Sequence, residues 1–121
     1  MKIVDRNTLL ALPAGTVFMH YSPGMFRGLY VKGQTILDSD GEALDWWERR
    51  LDRPGFPAGD CNDDYFEALA MLESGAELPA SFDTWARDGL FDAEQRYAVF
   101  DQADAQALTG ALDVGALDEP R

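Results

Sequence analysis

Residues 16–37 read TVFMHYSPGMFRGLYVKGQTIL, the densest run of strand-forming residues in the chain. Side chains alternate faces along a strand. Over residues 16–21, Val17, Met19 and Tyr21 therefore point one way and Thr16, Phe18 and His20 the other. Both sets are bulky, which predicts a strand covered on both sides. Ser22-Pro23-Gly24 is a turn signal, because Pro presets φ and Gly accepts positive φ. Residues 27–32 read as a second strand, Lys32-Gly33 as a tight reversal, and residues 34–37 as a third strand. Connections this short make neighbours antiparallel. The expected centre is a meander on which helices pack.

On the N-terminal side, residues 5–12 read as a short helix capped by Asp5, with Leu9, Leu10 and Leu12 for apolar contact and Pro13 to end it. On the C-terminal side, Asp38-Ser39-Asp40-Gly41 is a turn. Residues 42–51 then place Ala43, Leu44, Trp47 and Leu51 in one arc of a helix. A strand over residues 45–51 competes, since adjacent tryptophans favour sheets. Residues 54–60, PGFPAGD, form a loop. Residues 62–74 give the clearest helix, with Tyr65, Phe66, Leu69 and Leu72 on its buried arc and Gly75 at its end. Residues 81–87 and 95–100 alternate as strands joined through Asp88-Gly89, a hairpin signal. Residues 101–112 close as a helix with a stripe of Ala105, Leu108 and Leu112. The order predicts a single α+β domain over residues 1–112, with a mainly antiparallel sheet (meander plus hairpin) and helices on one face. Residues 113–121 are expected to fray.

A chain of 121 residues builds one domain and can bury a core without staples. Cys61 is the single cysteine, so no internal disulfide forms and a reducing compartment is expected. Asp5 interrupts any apolar leader, and no apolar run reaches the ~20 residues of a membrane span. The expected location is the cytoplasm. The net charge is −12, unevenly spread. Residues 1–37 carry four cations against Asp5, or +3, and residues 38–121 carry 6 Arg against 21 acids, or −15. Such a surface repels nucleic acid and anionic lipid and attracts basic proteins.

Candidate chemistry is sparse. Cys61, His20 and Asp60 could be cast as nucleophile, base and orienter, but nothing local supports this beyond a helix start near Cys61. Asp38-x-Asp40-Gly41 lacks the spacing of a calcium loop. One His and one Cys cannot make a zinc set. No cofactor, metal or catalytic residue is expected. The acidic faces are the better prospect. Asp63, Asp64 and Glu67 share one helix, and Asp83, Asp88, Asp92 and Glu94 come from the later hairpin. Rigidly spaced carboxylates can engage Arg and Lys of a partner. Trp46, Trp85 and Phe91 are the candidate aromatic anchors, the residue class that dominates binding hot spots.

The run Leu12-Pro13-Ala14-Gly15-Thr16-Val17-Phe18, then Tyr21-x-Pro23 and Gly28-Leu29-Tyr30-Val31-Lys32, resembles the opening of small proteins encoded by phages and prophages. Arg87-Asp88-Gly89-Leu90-Phe91-Asp92 is similar to a second shared segment of such proteins. The resemblance spans roughly residues 5–100 and carries no activity to any named residue. It implies a mobile-element origin, and by analogy an acidic inhibitor of host defence, as anti-CRISPR proteins are. The expected function is thus a non-enzymatic module that binds a basic host protein by charge mimicry, without membrane or direct nucleic-acid binding. The alternatives are a small enzyme using Cys61 or the carboxylates from Asp60 to Glu67, and a virion assembly accessory.

Overall fold

Strands β2 (Val17–Ser22) and β3 (Met25–Leu37) form the meander's first arm, turning at Pro23-Gly24. The structure, a computed structural model, describes residues 1–55 and 62–113, with only the backbone of Asn62 and Asp63. Around this pair lie β1 (Lys2–Val4), α1 (Arg6–Ala11), β4 (Ala43–Arg50), α2 (Asn62–Glu73), β5 (Trp85–Arg87), β6 (Arg96–Val99) and α3 (Gln102–Ala111). The chain is an α+β protein, as its pattern predicts, with one antiparallel sheet in the order β1-β6-β2-β3-β4-β5.

Lys32-Gly33 does not reverse the chain. β3 runs through it for 13 residues. Pairing passes from Lys32↔Glu48 to Thr35↔Trp46, three residues on β3 against two on β4, so the glycine marks a bulge. A second bulge separates Phe18↔Tyr30 from His20↔Arg27, and Gly28 sits in it at φ 71°. There the Tyr30 ring occupies the space that a Cβ at Gly28 would need. Both bulges put the extra residue on β3 and bend it across its neighbours.

Residues 42–51 are not helical. They enter β4, the competing strand, after a turn in which the Asp38 carboxylate accepts the Asp40 and Glu42 amides at 2.9 and 3.0 Å. Flanking strands on both sides satisfy the β4 backbone, and the period of two sends Trp46 and Glu48 inward and Trp47 outward. Sheet pairing thus overrides a helical spacing that four residues happened to satisfy.

Asp88-Gly89 does not close a hairpin either. β5 pairs with β4, whereas β6 inserts between β1 and β2. The reason lies in the side chains at the turn. Asp88 is drawn to Arg6, and the Gly89 amide donates to Asp45 at 3.0 Å, so the chain leaves β5 instead of folding back on it. β1 has no signature in the sequence, being three residues long and paired, among the described residues, only with β6.

Helix α1 starts as expected, with the Asp5 carboxylate accepting the Thr8 amide at 2.8 Å. It buries Leu9 and Leu10 and contacts both β4 and β6. The core it closes contains Val4, Leu9, Leu10, Phe18, Trp46, Tyr97 and Val99. Helix α2 departs from its expected arc. Ala68 is its buried residue, while Phe66 is 64% exposed. Helix α3 has a capping box between Asp101 and Asp104 but buries none of its residues.

Candidate functional site

The interior carries charge. Arg6, itself buried, donates from Nη1 to Asp88 Oδ2 at 3.2 Å and from Nη2 to the Leu44 carbonyl at 2.9 Å. Its Nη2 also lies 3.7 Å from Asp45 Oδ1, and Arg87 Nε lies 3.6 Å from Asp45 Oδ2. The Arg6 guanidinium stands over the Trp46 ring at 4.6 Å and over the Phe91 ring at 5.5 Å. A buried ion cluster of this kind is retained by its hydrogen bonds, since removing one partner strands the other. It joins α1, β4 and the connection after β5.

Next to this cluster, Glu48 faces the same side of β4 as Trp46. The Trp46 Nε1–H donates to Glu48 Oε1 at 3.0 Å. Burial pushes the Glu48 carboxyl up to about 7, helped by the charges of Asp88 and Asp45; the Trp46 hydrogen bond and Arg50 pull the other way. Glu48 forms one wall of a pocket of about 230 Å³ that Tyr30, Tyr65, Phe82, Arg50 and Arg53 also line. A bridge between Gly55 and Ser81 (N–H···O distances of 2.7 and 3.0 Å) joins two of the lining segments. Arg50 forks onto Asp52 at 2.6 and 3.0 Å and stands over the Tyr30 ring at 5.4 Å. Arg53 stands 5.9 Å from the centre of the Tyr65 ring. Behind these groups, burial lowers the basicity of His20 and raises the Tyr97 phenol above its ordinary value. Among the described residues, no well-formed hydrogen bond reaches His20 Nε2 or the Tyr97 hydroxyl, although Gln95 stands near enough to His20, and Arg6 to Tyr97, to offset part of the effect of burial.

The opposite face of the sheet carries a second feature. Trp47 and Trp85 flank Gly33 and, with Ala14 and Gln34, line a cleft of about 480 Å³. A Cβ at Gly33 would stand 2.8 Å from the Trp85 ring, so the bulge glycine lets the two indoles close over the backbone. Arg49 stacks on Trp85 at 5.4 Å and pairs with Asp83 at 2.8 Å.

The residues singled out in the sequence do not form one surface. Trp46 is fully buried and serves the core, so it cannot anchor a partner. Asp88 is taken out of the acidic set, because its side chain is 1% exposed and bound to Arg6. Trp85 and Phe91 are 45% and 51% exposed. Glu67, Asp92 and Glu94 are exposed and Asp64 is half-buried, and none of the four makes an ion pair among the described residues. The side chain of Asp63, like all of Asp60 and Cys61, lies outside the described residues, as do 114–121 of the expected tail. Glu48 and Trp47 were missed. A helical reading of residues 42–51 hid both, since it puts Trp47 on the buried stripe and Glu48 off it, whereas the strand exposes Trp47 and turns Glu48 inward. Among the described residues, no group of three or more His, Cys, Asp or Glu is placed to hold a metal ion, and no helix is long and apolar enough to cross a membrane.

Comparison of the chain with protein-family models, with curated proteins and with solved structures finds no match. The chemistry of the site is therefore read from its own atoms.

Proposed function

We propose that the chain is a non-enzymatic, protein-binding module of phage or prophage origin that acts in the host cytoplasm by holding a basic host protein, in the manner of an inhibitor of host defence. The observation that carries this reading is the exposed tryptophan pair, Trp47 and Trp85, set on a rigid sheet in a chain of net charge −12. Tryptophans packed over a glycine bulge give large apolar contact at little entropy cost. Carboxylates without a cation among the described residues, Glu67, Asp92 and Glu94 among them, draw a basic partner from solution and set its orientation.

The test is capture from a lysate of the host bacterium at low and at moderate salt. Wild-type protein retains one species in a salt-sensitive way. Trp47→Ala with Trp85→Ala abolishes retention, and Asp92→Asn with Glu94→Gln weakens it most at low salt. Retention indifferent to salt and to both pairs of substitutions would rule the reading out.

A further inference from the structure

Three carboxyls face the core: Asp45, Glu48 and Asp88. Two have cations of the chain, Asp45 with Arg6 and Arg87, and Asp88 with Arg6. No ion pair to Glu48 forms among the described residues, although its neighbourhood is rich in cations. Three of those are committed elsewhere. Arg50 is forked onto Asp52. Lys32, paired across the strands with Glu48, is 1% exposed and gives its ammonium to the Gly33 carbonyl and to Thr35 Oγ1, at 3.3 and 2.7 Å. Arg6 is spent on Asp88 and Leu44. Glu48 Oε1 accepts from Trp46, and its second oxygen accepts nothing among the described residues. A half-buried carboxylate in this position is costly unless something pairs with it.

We infer that the pocket between β3, β4 and the 53–55 and 81–84 segments is a binding site for a guanidinium group, which supplies the cation that Glu48 lacks. The walls suit that group. Tyr30, Tyr65 and Phe82 line the pocket, and a planar, weakly hydrated guanidinium stacks on aromatic rings while its N–H fork reaches a carboxylate. The chain's own Arg50 and Arg53 already adopt that stacking on Tyr30 and Tyr65. Arg53 is the cost of the site, a cation at its rim without a carboxylate partner among the described residues, and it repels an incoming one.

The titration of Glu48 makes the inference measurable. Asp45 and Asp88 favour its proton and Arg50 opposes it. Tyr30 and Tyr97 stay neutral near pH 7, because burial raises both, and burial holds the Lys32 ammonium below its ordinary value. A guanidinium binds the ionised carboxylate, so binding at pH 6 expels a proton to solvent and binding at pH 8 does not. Calorimetric titration of the full chain with the peptide acetyl-Gly-Arg-Gly-amide, and separately with agmatine, reads this directly. Affinity rises about tenfold from pH 6 to pH 8, with close to one proton released at pH 6. Glu48→Gln, which keeps the Trp46 hydrogen bond and removes the charge, loses at least about tenfold in affinity and all of the pH dependence. Arg53→Ala binds more tightly. Binding of the peptide alone assigns the guest as an arginine of a protein, and equal binding of agmatine assigns a free guanidinium compound. No binding at millimolar ligand, unchanged binding in Glu48→Gln, or equal binding of the control peptide acetyl-Gly-Lys-Gly-amide overturns the assignment, as does phosphate binding that Arg53→Ala abolishes. The inference stands apart from the tryptophan cleft, since lost capture from lysate leaves it intact and the reverse also holds.

Discussion

Glu48 and Tyr97 show how a single buried polar atom shapes the behaviour of this chain. The Glu48 carboxyl holds its proton to about 7 in the folded state, against an ordinary 4.5. Between those values the folded protein binds more protons than the unfolded chain, so the stability this group contributes is complete below about pH 4.5 and is lost as pH rises through about 7. The shift corresponds to about 3 kcal/mol, which partial exposure reduces to about 2. Chemical denaturation at pH 5 and pH 8 should show that loss in the wild type and a flatter profile in Glu48→Gln. The buried Trp46 indole donates to Glu48, so its fluorescence should titrate with the same midpoint and cease to do so in the variant. Tyr97 makes the opposite case. Its hydroxyl is buried, and no well-formed hydrogen bond reaches it among the described residues. Tyr97→Phe deletes an unmet hydrogen-bonding group at constant shape and should stabilise the protein by about 1 kcal/mol in urea denaturation. A loss of stability would show that the hydroxyl does have a partner.

At the scale of elements, the bulges of β3 matter most. Gly33→Ala places a methyl against the Trp85 ring and Trp47. The ring must swing outward, so the substitution should cost about 1 kcal/mol and raise quenching of tryptophan emission by iodide. The same position shows what was legible in the sequence. Glycine signalled a local anomaly at residue 33, but a reversal and a bulge ask for the same residue type, and only pairing with β4 separates them. The turn at Pro23-Gly24 and the Asp5 cap could be read because local chemistry fixes them. Strand β4 could be read only as the alternative to a helix. Ala43, Leu44, Trp47 and Leu51 satisfy a helical period, while the force that makes a strand of them comes from β3 and β5, distant in sequence. Glu48 went unnoticed for the same reason. A charged residue beside two arginines looks solvated until its neighbours across the sheet turn out to be Tyr30 and Lys32. Trp46 and Trp47 stand side by side in sequence, and the strand's alternation alone makes one a core residue and the other a surface one.

Across the whole molecule, one contact ties distant parts together. Arg6 joins α1 to the carbonyl of Leu44 and to Asp88, 38 and 82 residues away. Arg6→Ala leaves Asp88 buried without its cation and should cost about 3–5 kcal/mol, read as a fall in the urea midpoint at pH 7. Asp88→Ala in the Arg6→Ala background should restore part of that loss, and a double-mutant cycle measures the coupling. The charge balance acts on the same scale. With 22 acids against 10 cations, self-repulsion weakens the fold at low ionic strength. Added salt should therefore raise the melting temperature while it weakens any capture of a basic partner, opposite effects of one screening.

The order of strands has a further consequence, for synthesis. β2, β3 and β4 are consecutive and can pair as soon as residue 50 has left the ribosome. β1, made earlier than any of them, pairs with β6, made almost a hundred residues later. Until then the nascent chain exposes Val4, Leu9 and Phe18 in a half-built sheet. The last step of folding thus waits for β6, and a ribosome stalled near residue 90 should present a protease-sensitive N-terminus that becomes resistant only once residue 99 emerges.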